Sequence, residues 1–293
     1  MRGALPPGRD CERMHPVSFS GPVLSMLDLD AYFRRVGYVG DRAPTLETLA
    51  ALHELHPTAI PFENLDTLRG APIRLDIDSL QRKLVLQRRG GYCFEQNLLF
   101  THVLTALGFR VIGLSARVLW DRPDDTPRPR THMALLVPVD GDSYVCDVGF
   151  GGLTMTGPLR LATDAEQRTP HEMFRIARAG AEYMPQACLR GDWRSLYSFD
   201  LQQQLQTDIE VLNFFVAEHP ESPFKSRLMA ARRDGNRTLK LRDAELTIQH
   251  RDGAREQRTL RSVRELRAVL GELFAIDVPT DAALDVALAR LVG

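Results

Sequence analysis

Net charge, long apolar runs and cysteine are all scarce in this chain of 293 residues. Its 37 Lys and Arg residues are balanced by 38 Asp and Glu residues, so no chain-wide basic field is available to hold nucleic acid or an anionic membrane. No stretch approaches the roughly 18 consecutive apolar residues that a membrane-spanning helix needs. We therefore expect neither nucleic acid nor a membrane as a partner.

Cysteine is not only rare but dispersed. The four cysteines are Cys11, Cys93, Cys146 and Cys188, and no two of them form a Cys-x-x-Cys pair. Such spacing is a poor disulfide framework and does not match a zinc site. We therefore expect no bound metal, and a reducing cytoplasm as the location.

The first 25 residues lack the periodicity of the rest of the chain. They contain four Pro and three Gly, and no apolar core of signal-peptide length follows the basic residues Arg2 and Arg9. We predict a loose extension over residues 1–25. Because the periodic sequence begins at Met26, that methionine is a second candidate for the start of the protein, and the sequence leaves both open.

Helical signals fill residues 27–107. Thr45 can cap a helix whose leucines recur every third residue, and cations at Arg88 and Arg89 suit the C-terminal end of a second helix. Gly90-Gly91 then breaks the chain before a third. The predicted helices run from Thr45 to Pro57, from the cap at Asp78-Ser79-Leu80-Gln81 to Arg89, and from Cys93 or Phe94 to Gly108.

The hydrophobic period changes to two after Gly108, which predicts a β-domain in the middle third. The predicted strands are 111–120, 132–139, 143–150, 174–177 and 183–189. A capping box at Thr207-x-x-Glu210 then predicts a helix that ends at Pro220. Two strand-like runs, 237–241 and 245–249, precede terminal helices near 262–274 and 281–291.

Cys93 follows a glycine break and stands at the start of a predicted helix. The helix N-terminus offers partial positive charge and unpaired N–H groups, and both favour a thiolate. A single cysteine between aromatic neighbours is nevertheless more often a small buried apolar residue. Further residues are therefore needed before Cys93 is assigned to chemistry.

A predicted hairpin supplies two such residues. Asp140-Gly141 is the dipeptide that best indicates a two-residue type I′ turn, and it places Val139 opposite Asp142. In that register His132 and Asp147 are diagonal neighbours on one face, within reach of an Asp-to-imidazole hydrogen bond. A three-residue turn would put them on opposite faces.

A carboxylate bonded to a histidine, together with a helix-start cysteine, is the arrangement that makes a thiolate–imidazolium nucleophile. Spacing alone does not establish that Cys93 reaches His132. We interpret His56 and His102 as weaker candidates for the histidine. The remaining five have surface interpretations near polar or Pro-containing stretches: His15, His53, His171, His219 and His250.

Four short runs around these residues resemble, in order, the signature segments of the arylamine N-acetyltransferase family. They are Ile60-Pro61-Phe62-Glu63-Asn64-Leu65-Asp66, Arg89-Gly90-Gly91-Tyr92-Cys93-Phe94-Glu95 with Asn97, Thr131-His132, and Asp147-Val148-Gly149-Phe150-Gly151-Gly152. The resemblance extends from about Met26 to the C-terminus. It implies an α+β fold with a cysteine-protease-like core: after residues 1–25, a helical bundle over 26–108, a β-barrel over 109–204, and a linking helix with an α/β lid over 205–293.

The resemblance also implies an activity. It is acetyl transfer from acetyl-CoA, as co-substrate, to the amine of arylamines, arylhydrazines or N-hydroxyarylamines, by a ping-pong route through an acetyl-cysteine. The implied catalytic residues are Cys93, His132 and Asp147. Residues implied on the cofactor side are Thr131, Phe150 and Gly151, and those that would wall the aromatic acceptor are Phe62, Phe150 and Phe215. Oligomeric state is left open.

Three alternatives remain at the level of the sequence. A cysteine hydrolase or transglutaminase-like protein would use the same three residue types in the same order. An amide synthase acting on a large biosynthetic intermediate is a neighbour within the family. A binding module that keeps the fold without catalysis would be expected to lack one of Cys93, His132 and Asp147, and all three are present.

Overall fold

The computed structural model describes residues 27–121 and 128–292. The predicted extension over residues 1–25, the question of Met26, and Cys11 and His15 lie outside the described residues. The helices of the described ranges are α1 (Leu29–Val36), α2 (Leu46–Ala59), α3 (Leu65–Leu68), α4 (Ile77–Leu80, continued by a π-helical turn over Gln81–Leu86), α5 (Cys93–Ala106), α6 (Gln206–Glu218), α7 (Pro223–Ser226), α8 (Val263–Glu272) and α9 (Ala282–Ala289). Among these described helices, none is long and apolar enough to cross a membrane.

The strands form two sheets. In chain order they are β1 (Phe62–Glu63), β2 (Ile112–Val118), β3 (His132–Val139), β4 (Asp142–Cys146), β5 (Leu159–Arg160), β6 (Gln167–Arg168), β7 (Met173–Ala179), β8 (Glu182–Leu189), β9 (Asp192–Ser195), β10 (Tyr197–Phe199), β11 (Met229–Asp234), β12 (Arg237–Arg242), β13 (Glu245–His250) and β14 (Arg255–Thr259). The larger sheet has the order β5-β4-β3-β2-β10-β8-β7-β6, with β9 on β8, and curls into a nearly closed barrel. The smaller sheet has the order β1-β11-β12-β13-β14.

Three helix ends differ from the sequence predictions. Helix α2 continues past Pro57 to Ala59, because a proline in the last turn removes only its own N–H bond while its ring is buried against neighbours. Helix α4 begins at Ile77 because Asp76, rather than Asp78, caps it by accepting the Ser79 N–H at 2.9 Å. Helix α6 begins at Gln206, since Asp208 accepts the Leu205 N–H at 2.8 Å and the box predicted at Thr207 is not used.

Strand ends differ as well. Strand β4 ends at Cys146, four residues before the predicted end at Phe150, because the chain leaves the sheet there to form the glycine loop 149–152. Seven strands were not predicted from the sequence: β1, β5, β6, β9, β10, β11 and β14. Strand β14 is exposed at every residue, so it carries none of the apolar alternation by which strands are recognised.

Three apolar clusters hold the fold together. The first joins α1, α2 and α5 to one face of the β3–β4 hairpin, and it also buries Ile209 and Val216 of α6. The second fills the barrel, and the third lies between the smaller sheet and helices α8 and α9. Strand β1 comes from the N-terminal part of the chain but pairs with β11, so it joins the helical region to the C-terminal sheet. The predicted α+β architecture is confirmed, whereas the predicted boundaries at 108/109 and 204/205 stay predictions.

Candidate active site

Cys93 is the first residue of α5, one of the two starting positions that the glycine break predicted. The turn before it is fixed by Glu95, whose carboxylate accepts the Tyr92 N–H at 3.2 Å. The Cys93 residue is 3% exposed, and its Sγ lies 3.8 Å from the carbonyl oxygen of Thr131. The thiol therefore sits at a helix N-terminus and faces the residue next to His132 in the chain.

The β3–β4 hairpin has the predicted register. Val139 pairs with Asp142 across the two-residue turn, and Asp140 and Gly141 have φ values of 51° and 86°, as a type I′ turn requires. The Nε2 atom of His132 lies 2.7 Å from Oδ2 of Asp147. The predicted bond between the two side chains is confirmed, and both residues are buried.

The second carboxylate oxygen of Asp147 is held by Asn97 and by the glycine loop. Oδ1 accepts from Nδ2 of Asn97 at 3.1 Å and from the Gly149 N–H at 2.9 Å. The Asn97 amide also donates to the Met133 carbonyl and accepts the Val148 N–H. Helix α5 thus carries the thiol on its first residue and a clamp for the carboxylate one turn later.

The ionisation of the pair follows from these contacts. Burial opposes the charged form of Asp147, but the His132 charge and hydrogen bonds from His132, Asn97 and Gly149 hold the Asp147 pKa below its ordinary value. Burial alone would lower the pKa of His132, yet the charge of Asp147, their hydrogen bond and the neighbouring Cys93 sulfur raise it to about 10. His132 is therefore an imidazolium at neutral pH, and its two interacting side chains are the Asp147 carboxylate and the Cys93 sulfur.

The structure gives a reason for two of the glycines in the loop 149–152. A Cβ atom on Gly149 would lie 2.8 Å from Cα of Cys93, so a side chain there would push the loop off the start of α5. Gly151 has a φ of 87°, and a Cβ atom on it would lie 3.5 Å from the Phe62 ring. The Phe150 ring meets the His132 ring edge-on, with centroids 5.2 Å apart.

Most of the residues predicted for the site lie together. The Thr131 carbonyl contacts the Cys93 sulfur, Phe150 packs on His132, and a Cβ atom on Gly151 would contact the Phe62 ring. Phe215 is different, because its ring stacks on His219 at 4.5 Å and is 38% exposed on α6.

Two aromatic residues near Phe62 were not among the predictions. Phe224 places its ring 6.3 Å from Phe62 and 5.4 Å from Tyr92, so the three rings form one aromatic group beside the start of α5. Tyr92 is fully buried, and its hydroxyl contacts Asn213 of α6.

The surface interpretation of His53 is wrong, and His56 is also buried. Both have no exposed surface, and they continue the face of α2 that buries Leu49 and Leu52. That helical spacing was a signal that would have placed them in the core. His53 accepts the backbone N–H of Asp147 through Nε2 at 3.0 Å, so it reaches the site directly.

A buried group of charged residues lies behind Cys93. Lys83 contacts Glu95 and Asp66 at 2.6 Å each, and Arg89 contacts Glu63 at 2.7 Å and Asp66 at 3.1 Å. These pairs tie β1 and α3 to the segment that leads into α5. The motif residues Glu63, Asp66, Arg89 and Glu95 therefore position the turn before the thiol.

Comparisons with known proteins agree with this geometry. The sequence model of the N-acetyltransferase family matches residues 45–283. Arylamine N-acetyltransferases of Escherichia coli strain K12 and Mycobacterium tuberculosis strain H37Rv are each 43% identical to this chain, over 85% and 86% of it and 89% and 90% of their own lengths. The solved arylamine N-acetyltransferase of Mycobacterium marinum superposes with a TM-score of 0.87 at 39% identity, covering 91% of this chain and 100% of that one. This likeness confirms the cysteine-protease-like core, and the chain belongs to the arylamine N-acetyltransferase family.

Proposed function

We propose that this protein transfers an acetyl group from acetyl-CoA to the amine of arylamines, arylhydrazines or N-hydroxyarylamines through an acetyl-Cys93 intermediate. The observation that carries the proposal is the arrangement of three residues: a helix-start thiol beside His132, which is bonded to Asp147. One relative, from Salmonella typhimurium and 42% identical, is named both an arylamine N-acetyltransferase and an N-hydroxyarylamine O-acetyltransferase.

In the first half-reaction, the Cys93 thiolate attacks the acetyl carbonyl of acetyl-CoA and forms a tetrahedral oxyanion. The carbon–sulfur bond to CoA then breaks, and the His132 imidazolium gives its proton to the departing CoA sulfur. One thioester replaces another at nearly equal energy, so the acetyl group can wait on Cys93.

In the second half-reaction, the amine attacks the acetyl-Cys93 carbonyl. His132, now neutral, takes the proton that the amine loses, and the Cys93 thiolate leaves. Asp147 accepts a hydrogen bond from His132 throughout and stabilises its charged form. The three residues therefore return to their starting ionisation once the amide is released.

Acetyl-CoA brings phosphate groups as well as a thioester, and the chain has a cation beside the glycine loop. The Lys240 stem on β12 packs on Gly152, with Cε 2.8 Å from the position of a Gly152 Cβ. Within the described ranges no carboxylate lies within 4.0 Å of its ammonium, and the nearby Glu172 is paired with Arg233. A solved structure of the Mycobacterium marinum relative is described as a complex with CoA.

We assign Thr131, Phe150, Gly151 and Lys240 to the acetyl-CoA side of the cleft. Phe150 closes one side of His132, and the positive φ of Gly151 lets the backbone pass close to a ligand. The aromatic acceptor is assigned to Phe62 and Phe150. Phe215, the third residue predicted for the acceptor side, is also assigned there, and its ring stacks on His219.

Intact-protein mass spectrometry with acetyl-CoA and no amine tests the intermediate. We expect a single acetyl adduct that maps to Cys93, disappears in Cys93→Ala and persists in Cys188→Ala, a matched control on a partly exposed free thiol. An adduct that survives in Cys93→Ala would contradict the assignment.

Steady-state kinetics test the order of events. Rate plots against amine at several acetyl-CoA concentrations should be parallel, because CoA leaves before the amine reacts. Intersecting lines would indicate direct transfer in a ternary complex. Hydrolysis of peptides or glutamine amides without any response to acetyl-CoA would favour a cysteine hydrolase instead.

We also propose a cytoplasmic location. The three described cysteines, Cys93, Cys146 and Cys188, are free thiols, which fits a reducing compartment. Fractionation of the cells that make the protein would test it.

A further inference from the structure

His53 lies on α2, opposite the end of the β3–β4 hairpin, and has no exposed surface. Its Nε2 accepts the backbone N–H of Asp147 at 3.0 Å. This contact joins two segments 94 residues apart in the chain. It connects α2, which carries none of the proposed reacting groups, to the residue whose carboxylate holds His132.

The Asp147 N–H lies one residue beyond the paired part of the sheet, where it donates to Nε2 of His53. Pairing between β3 and β4 ends at Leu135 opposite Cys146, and Asp147 itself is fully buried. A buried N–H without a partner costs about 1–3 kcal/mol. The His53 imidazole therefore supplies the hydrogen-bond acceptor that the sheet no longer provides, at the point where the backbone turns toward the glycine loop.

The bond requires one form of the ring. Nε2 can accept an N–H only when it carries no proton, so the proton of neutral His53 is on Nδ1. Burial holds the pKa of His53 down to about 4, against the opposing charge of Asp147, and keeps the ring neutral. Among the described residues Nδ1 has no hydrogen-bond partner, and the ring meets Phe100 edge-on with centroids 5.8 Å apart.

The neighbouring His56 is built differently. Its Nδ1 contacts the Tyr32 hydroxyl at 2.9 Å and its Nε2 contacts Gln96 Oε1 at 2.7 Å, so both nitrogens are used for packing α1, α2 and α5 together. Within the described part of the chain, the buried Nδ1–H of His53 has no partner, and His53 uses only the nitrogen that faces Asp147. A residue selected for packing alone would not need an acceptor at that atom.

We propose that His53 is a positioning residue for the acetyl transfer: by accepting the Asp147 N–H, it fixes the backbone from which the carboxylate reaches His132. This inference rests on the proposed function of Cys93, His132 and Asp147. It adds a fourth side chain that acts only through Asp147 and touches neither acetyl-CoA nor the amine.

The test compares His53→Leu with His53→Gln, since glutamine can place an amide oxygen near the Nε2 position and leucine cannot. A displacement of about 1 Å at a reacting group can reduce a rate about 100-fold. We therefore expect His53→Leu to slow acetylation of the Cys93 thiol by about 10- to 100-fold and to move its alkylation profile to higher pH. His53→Gln should recover most of both losses.

Phe100→Leu is the matched packing control, because it removes the ring that contacts His53 but leaves the acceptor. It should lower the melting temperature without moving the alkylation profile. A folded His53→Leu protein with wild-type acetylation and alkylation would overturn the inference, as would a folded His53→Gln protein as slow as His53→Leu.

A measurement on the unmodified protein covers the case in which the variants do not fold. In ¹⁵N-histidine spectra, His53 should stay neutral with its proton on Nδ1 between pH 5 and pH 8, and a proton on Nε2 would overturn the inference. A failure of the proposed function can be distinguished from a failure of the role assigned to His53. If the wild type forms no acetyl-Cys93, the proposed function fails. If it does so and His53→Leu does so equally fast, only the role of His53 fails.

Discussion

The Asp147 side chain shows how much of the site depends on single atoms. One carboxylate oxygen contacts His132, and the other accepts from Asn97 and Gly149. Its backbone N–H is bound by His53. Both carboxylate oxygens and the backbone N–H of Asp147 are therefore hydrogen-bonded. These bonds hold the carboxylate in one orientation toward the His132 imidazolium.

Asp147→Asn tests that orientation at constant size. The amide can no longer stabilise an imidazolium and can donate to Nε2, which stabilises the wrong tautomer. The matching change in a serine-protease triad costs about four orders of magnitude in kcat. We expect a smaller loss, about 100- to 1,000-fold, because a helix-start thiol keeps some thiolate without the pair.

The measurement is the pH dependence of Cys93 alkylation together with the transferase rate, with folding checked by circular dichroism. Asp142→Asn, an exposed change on the same hairpin, is the control and should leave both unchanged. A folded Asp147→Asn protein that alkylates at low pH as fast as the wild type would make Asp147 a structural residue.

Single residues were predictable where their chemistry is local. The Asp140-Gly141 turn determines the hairpin register, and the glycine break places Cys93 on the first residue of α5. His53 was misplaced because polar neighbours in sequence were given more weight than its spacing from Leu49 and Leu52 on α2. Its bond to the Asp147 backbone has no signal in the sequence, since the partner lies in another part of the chain.

At the scale of elements, contacts between distant strands were the least predictable feature. Strand β1 is two residues long and pairs with β11, so neither its length nor its partner could be read from the local pattern. Strand β12, which was predicted, brings Lys240 to the glycine loop only because the smaller sheet packs beside the barrel. Local periodicity indicates elements, whereas their neighbours depend on the whole set of apolar faces.

Lys240→Met tests whether β12 contributes to acetyl-CoA binding. The methionine keeps a stem to pack on Gly152 and removes the charge. Because a hydrogen bond to a charged group is worth about 1.5–3 kcal/mol, we expect the KM for acetyl-CoA to rise about 10- to 100-fold with little change in kcat.

Two comparisons make this outcome specific to phosphate. A short acetyl thioester without phosphates should be used equally well by the wild type and Lys240→Met, and Lys240→Arg should keep most of the acetyl-CoA affinity. Lys225→Met, which removes a partly exposed cation from α7, is the control. Equal weakening with both thioesters would show that Lys240 acts on the loop rather than on the phosphates.

At the scale of the whole molecule, burial of titratable groups links the core to pH. Burial lowers the pKa of His53 to about 4 and, with smaller opposing and reinforcing contacts, that of His56 to about 3. In the unfolded chain both return to about 6.5. Below that pH both histidines are protonated in the unfolded chain but stay neutral in the folded protein. Both histidines therefore make the folded state less stable as the pH falls.

Glu95 acts in the opposite direction, because burial, against the charge of Lys83, raises its pKa to about 7 and its folded form keeps a proton that the unfolded chain has lost. The contribution of the histidines is therefore measured as the difference in unfolding free energy between the wild type and a histidine variant, because the contribution of Glu95 cancels in that difference. We expect the free energy of unfolding of the wild type, minus that of His56→Gln, to fall by about 1.4 kcal/mol per pH unit between pH 6 and pH 4, and to be constant above pH 7.5. Urea denaturation with unchanged m-values measures it. The variant His53→Gln/His56→Gln should give about twice the slope between pH 6 and pH 5. A difference that does not vary with pH would mean that the imidazoles take up protons in the folded protein at the same pH as in the unfolded chain, and that α2 carries charge into the core beside Asp147 below about pH 6.5.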